Sequence, residues 1–245
     1  MDLDSRIHSL AESFGADYCG VADLTDVQDV IRSQGGELVT GYPRAFVLGI
    51  RLLDTLVDLL PENEDTAAAV LYRHHSYDVV NQALDQMGLQ VANTIQKHGY
   101  RALPVPASRR TSEEKIAGPF SHKLAAHLAG LGWIGKSCLL ITPDHGPRVR
   151  WISVLTDAPL TPTGTPMEYR CGDCTACVDI CPVHAFSGRS FQEEDAREAR
   201  FNAAACDRYF REMEESGRPV VCGLCLYVCP HGRKAALRLE GKSRN

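Results

Sequence analysis

Residues Cys171-Gly-Asp-Cys174-Thr-Ala-Cys177-Val-Asp-Ile-Cys181-Pro182 decide how this chain is read. Their spacing is C-x2-C-x2-C-x3-C-P. Cys222-Gly-Leu-Cys225-Leu-Tyr-Val-Cys229-Pro230 repeats the last three cysteines and the proline, and Cys206 upstream supplies the leading cysteine that this second run lacks. Three sulfurs at two-residue gaps converge on one four-iron cube, while the fourth cysteine of such a run typically reaches the neighbouring cube. The pattern predicts two [4Fe-4S] clusters. A crossed assignment puts Cys171, Cys174, Cys177 and Cys229 on one cube and Cys206, Cys222, Cys225 and Cys181 on the other. A sequential split, with Cys181 joining the first three and Cys229 the last three, uses the same residues.

Zinc fits this pattern less well. Structural zinc sites favour two CxxC knuckles held apart by a spacer, not three cysteines in close succession followed by a C-P tail given twice. A disulfide framework is not expected, because the start Met1-Asp-Leu-Asp-Ser-Arg-Ile-His shows no secretory leader and cytosolic thiols stay reduced. Ten cysteines occur in the 245 residues; Cys19 and Cys138, the two outside the pattern, sit in apolar runs and read as buried thiols.

At 44% hydrophobic the chain can bury a sizeable core, and its net charge of −5 argues against a broad basic face for nucleic acid or anionic membrane. No run of about 18 apolar residues suggests a membrane span. Arg109-Arg110 is internal and is not an export signal. These features predict a cytoplasmic protein.

Hydrophobic periodicity organises the rest. Leu3, Ile7, Leu10, Ala11 and Phe14 share one helical face, closed by Gly15. Short strands are expected at 18–22, 44–52, 100–105, 137–142 and 149–156, and helices at 26–34, 76–98, 122–131 and 193–215. Residues 61–65 read as a polar loop. The segment Pro159 to Pro166, with three prolines, three threonines and a glycine, reads as a linker. The expected architecture is α+β, with a first domain over 1–160 and a small ferredoxin-like two-cluster domain over 161–245.

Ala129-Gly-Leu-Gly-Trp-Ile-Gly-Lys-Ser, then Leu139-Leu-Ile-Thr, Val154-Leu-Thr-Asp-Ala-Pro-Leu and the cysteine runs follow in series. This series resembles the core of epoxyqueuosine reductases, which share a superfamily with corrinoid-dependent reductive dehalogenases. Tyr42-Pro-Arg-Ala and Tyr72-Arg-His-His-Ser-Tyr-Asp are similar to upstream motifs of the group, so the resemblance runs over roughly residues 1 to 235. It implies a nitroreductase-like α/β sandwich domain that binds cobalamin, with the clusters feeding it single electrons. Low-valent cobalt does chemistry that side chains cannot, and [4Fe-4S] potentials reach down to about −700 mV. A low-potential donor such as a ferredoxin or flavodoxin would fill the clusters.

Two departures from the epoxyqueuosine reductases stand out. Where they carry a Val-Asp motif, its Asp a proton donor, this chain reads Leu103-Pro-Val-Pro-Ala-Ser, with an extra stretch from Arg109 to Pro119. The sequence also ends at Asn245, without the helical-repeat extension that helps longer members grip tRNA. Both argue against tRNA as a partner.

The leading expectation is thus an oxidoreductase passing electrons through two clusters to a bound corrinoid, which is either cofactor or substrate. The alternatives are a shortened epoxyqueuosine reductase acting on tRNA, and a two-cluster electron-transfer module docking a protein partner. Gly132, Trp133, Ile134, Gly135, Lys136 and Ser137, with Arg73, are the candidate corrinoid contacts; a tight helix-to-strand turn explains the same glycines without any ligand. Tyr72, His74, Tyr77 and Ser108 are candidate proton donors. A satisfied helix-entry cluster accounts equally for the residues around His74 and His75, and a solvated loop for Ser108, Arg109 and Arg110.

Overall fold

A computed structural model describes residues 2–192 and 195–233. The chain divides into two compact units, neither continuous in sequence. One is built from Met1–Ile50, Tyr77–Gly132 and Arg150–Met167; the other from Arg51–Ser76, Trp133–Val149 and Glu168–Asn245. A contiguous division at residue 160 does not describe these units, because 51–76 and 133–149 join the cysteine-bearing part.

The first unit centres on a four-stranded sheet in the order β1-β2-β6-β3. β1 (Tyr18–Asp23) pairs antiparallel with β2 (Arg44–Arg51), Tyr18 opposite Gly49. β3 (Ala102–Val105) pairs antiparallel with β6 (Val149–Thr156), Ala102 opposite Thr156. β2 and β6 are the central strands, and both read as near-continuous apolar runs: Ala45, Phe46, Val47 and Leu48 are fully buried, as are Ser153, Val154, Leu155 and Thr156. Strands with both faces covered need this composition. α1 (Leu3–Ser13) is capped by Asp2, whose carboxylate accepts from Ser5 N, and buries Ile7 and Ala11. It packs on α5 (Val80–Lys97), which lies against β3. α6 (His122–Leu128), capped by Ser121, packs on β1. α2 (Gln28–Gly35) ends in an approach so close that a Cβ on Gly35 would stand 1.9 Å from the Pro119 carbonyl oxygen, so only glycine fits.

The second unit holds α3 (Asp54–Val57), α4 (Thr66–Arg73), a short hairpin of β4 (Trp133–Ile134) and β5 (Leu140–Ile141), α7 (Ala176–Asp179), α8 (Ala203–Glu215) and α9 (Leu224–Tyr227). α3 packs on α4, and α7 on α9. Arg148 is fully buried there; its guanidinium donates to Asp54 Oδ1 (2.9 Å) and Asp58 Oδ1 (2.7 Å), and Asp54 also pairs with Arg51.

Several elements differ from expectation. Helix begins at Thr66, not Ser76, because Asp65 caps it through Ala68 N and Ala67-Ala-Ala-Val-Leu-Tyr continues it. A π-helical turn, His74–Val79, then joins α4 to α5. The segment 159–166 is pinned rather than a free linker: Val21 N donates to Thr163 Oγ1 (3.0 Å), and that hydroxyl donates to Ala129 O (3.2 Å). α8 is shorter than the helix expected over 193–215, and Glu193 lies outside the described residues. Among the described residues no helix is long and apolar enough to cross a membrane.

Candidate iron-sulfur centre

Short helices and turns present the thiols. Cys177 rides on α7, Cys206 on α8 and Cys225 on α9. The Cys171–Cys174 turn closes through Cys174 N to Cys171 O (3.0 Å), and Gly232 N to Cys229 O (3.0 Å) turns the chain after the last cysteine.

Electrostatics sort the sulfurs into two groups. Burial pushes the Cys177 thiol up to about 11, and Cys229, Cys171 and Cys174 push it further in the same direction. Burial pushes Cys225 up more strongly, reinforced by Cys222, Cys206 and Cys181, with Cys177 last. Packing agrees: Cys206 and Cys225 lie against the apolar cluster of Cys181, Ala185 and Phe186. These neighbours follow the crossed assignment, Cys171/Cys174/Cys177/Cys229 and Cys206/Cys222/Cys225/Cys181, more closely than the sequential one. Thiols crowded this closely stay protonated on their own, and a cationic core between them would favour the thiolates. Among the described residues no three His, Cys, Asp or Glu side chains converge as ligands of a single ion would. A lone zinc draws its sulfurs to about 3.8 Å apart, given Zn–S bonds near 2.3 Å, whereas a four-iron cube holds them wider.

The Gly-Trp-Ile-Gly-Lys segment buttresses the first group. Lys136 Nζ donates to Gly172 O (2.8 Å) and Cys174 O (3.2 Å). A Cβ on Gly135 would lie 3.4 Å from Cys171 Sγ. The Trp133 ring meets His231 edge-on at 4.9 Å and carries the Arg170 guanidinium 5.7 Å from its centroid, so it touches both ends of the set. Ile134 and Ser137 are buried. Gly132, at the end of the other unit, accepts from His127 Nδ1 through its carbonyl (2.9 Å). Lys136 and Arg170 place positive charge where a cluster with four thiolates carries net negative charge.

The candidate proton donors fall in both units. Tyr72 is buried in the second unit with its hydroxyl near Gly223, between Cys222 and Cys225. Arg73 and His74 are exposed. Tyr77 lies in the first unit, partly exposed, with the Arg150 guanidinium 4.3 Å above its ring. Ser108 lines a separate cavity of ≈310 Å³ in the first unit.

That cavity contains a residue read only as a helix start, His122. Its Nε2 donates to Pro106 O (3.1 Å) and its Nδ1 accepts from Ser153 Oγ (3.0 Å). Some of its surface faces the cavity, but protein crowds the rest of the ring, and that burial lowers its pKa to about 4 despite the Pro106 carbonyl and nearby Asp85. A depressed imidazole pKa means the unfolded chain binds the proton first. The stability His122 contributes is complete above about pH 6.5 and is lost as pH falls toward about 4. A pH series of denaturant midpoints should show this decline, and His122→Gln should flatten it.

Comparison with known proteins agrees with the cysteine pattern. A model described as a 4Fe-4S double cluster binding domain matches residues 170–232. The epoxyqueuosine reductase of Aliivibrio fischeri is 27% identical over 253 residues, covering 97% of this chain and 62% of that protein. A solved epoxyqueuosine reductase with an epoxyqueuosine-modified tRNA-Tyr stem loop superimposes with TM-score 0.58 at 19% identity, over 94% of this chain and 65% of that one. A reductive dehalogenase described as suggesting a B12-dependent mechanism gives TM-score 0.65 at 18% identity, over 97% of this chain and 34% of its own. The chain spans about three fifths of the length of the curated relatives it matches.

Two expectations are corrected here. The leading one, electrons passed through two clusters to a bound corrinoid as cofactor or substrate, gives way to its alternative, since the relatives covering nearly the whole chain are epoxyqueuosine reductases. The expectation that sets tRNA aside is overturned as well, since one such reductase is solved with an epoxyqueuosine-modified tRNA stem loop.

Proposed function

We propose that this chain, similar throughout to epoxyqueuosine reductases, is an iron-sulfur oxidoreductase that reduces an epoxide on a tRNA nucleoside. Electrons travel through two [4Fe-4S] clusters held by Cys171, Cys174, Cys177 and Cys229, and by Cys206, Cys222, Cys225 and Cys181. The observation that carries this is the nearness of Cys177 to Cys171, Cys174 and Cys229 and of Cys225 to Cys206, Cys222 and Cys181, within a chain of that similarity. Reducing an epoxide takes two electrons and two protons, so one-electron carriers in series suit the reaction. Tyr77 is the candidate acid of the first unit, held under the Arg150 guanidinium 4.3 Å from its ring centroid. The proposal places the protein in the cytoplasm, with a nitroreductase-like first unit.

Cobalamin belongs to this proposal as a bound cofactor, supplying a strong low-valent cobalt reductant when present. The buried Trp133 Nε1, His75 Nε2 and Ser76 Oγ have no hydrogen-bond partner among the described residues, and such atoms suit the amide-rich edge of a corrin.

The test is the tRNA of a strain lacking this gene, digested to nucleosides and resolved by mass spectrometry. Epoxyqueuosine should accumulate at the expense of queuosine. Unchanged queuosine defeats the proposal.

A further inference from the structure

The extra stretch from Arg109 to Pro119 forms a built feature of the first unit, and the cavity beneath it has no role in the iron-sulfur centre. Thr111 N and Ser112 N both donate to Ala117 O (3.0 and 3.2 Å), and Ala117 N returns to Ser112 O (3.2 Å), closing a tight loop. Three contacts fasten that loop to the end of α2. Lys115 Nζ donates to Ser33 O (2.8 Å), Gln34 Nε2 donates to Gly118 O (3.0 Å), and Gly35 lies directly under the Pro119 carbonyl. At its other end Ala107 N donates to Asp85 Oδ1 (2.8 Å).

The open cavity of ≈310 Å³ beside this loop is lined by Ser108, Arg109, Arg110, Phe120 and His122 among others, and by no carboxylate. Arg110 lies 3.6 Å from Glu113, itself 85% exposed, a pairing water screens strongly. Among the described residues the Arg109 guanidinium makes no hydrogen bond or ion pair. His122 is committed through both ring nitrogens and stays neutral. The cavity thus offers two guanidiniums, a hydroxyl and an apolar floor, at the small end of the range for ligand sites. Guanidiniums pair with phosphate through parallel N–H donors.

We propose that this cavity binds a backbone phosphate of the RNA substrate, with Arg109 and Arg110 as its ligands and Ser108 as a third donor. The inference rests on the tRNA reading above and gives that reading a contact in the first unit.

The test is binding of an anticodon stem-loop RNA to the cluster-loaded protein over a salt series. Arg109→Ala with Arg110→Ala should weaken binding about tenfold or more at low salt, and lower the slope of log affinity against log salt by about 1 for each arginine removed. Arg109→Lys with Arg110→Lys should keep most of the slope, since it keeps the charge. Unaltered cluster absorbance in the variants certifies folding. Wild-type binding with an unchanged slope in the alanine variant overturns this inference alone. Failure of the wild type to bind the stem-loop overturns it together with the tRNA reading.

Discussion

Cys229→Ser should abolish the cluster of Cys171, Cys174 and Cys177, leaving the other intact, and Cys181→Ser should do the reverse. Each variant should retain about four of about eight irons per chain. The reason is the crossing of the thiols: Cys229, Cys171 and Cys174 all act on Cys177, whereas Cys181 lies with Cys206 and Cys225 against Ala185 and Phe186. Double variants separate the crossed from the sequential arrangement. Cys171→Ser with Cys229→Ser strips one cube and keeps the other when the thiols are crossed. The same pair damages both cubes when each run serves its own cluster. Iron analysis with electron paramagnetic resonance of the reduced protein reads the difference.

Asp54→Ala carries the second large effect. Arg148 is wholly enclosed, and its charge is held by Asp54, 16% exposed, and Asp58, 44% exposed. Removing Asp54 leaves a buried guanidinium half-compensated, which costs about 3–5 kcal/mol when a buried pair loses one partner. Arg148→Met should cost less, on the order of 1–2 kcal/mol, because both carboxylates retain access to water. The damage should reach the first thiol set. A Cβ on Gly232, three residues past Cys229, would lie 3.0 Å from Arg148 Nε, so the arginine stem is the floor on which that turn rests. Denaturant midpoints followed by circular dichroism, alongside the rate of cluster bleaching, should both rank Asp54→Ala below Arg148→Met and wild type.

The cysteine runs were legible in the sequence because ligand spacing is local: three sulfurs within seven residues fix a turn whatever surrounds them. The apolar runs of β2 and β6 were legible for a similar reason, since burial on both faces writes itself into composition. The helix Thr66–Arg73 was missed because its signal, a single capping Asp65 and three alanines, is weak beside the polar residues before it. Segment 159–166 looked like a linker because proline and glycine mark loops equally well whether they are free or tied. Only the distant Val21 and Ala129 backbones, invisible along the chain, hold Thr163. His122 gave no signal beyond its place after a capping serine; its two partners come from residues 106 and 153. The Trp133–Lys136 segment stood out as a motif, but its contact with the first thiol set depends on chain folding across more than thirty intervening residues. Nothing local announces it.

The central claim is that eight cysteines hold two four-iron cubes. Iron, acid-labile sulfide and zinc should be measured together on protein purified without oxygen. About eight irons and about eight sulfides per chain are expected, with negligible zinc. Zinc at about two per chain, with no sulfide, would contradict it.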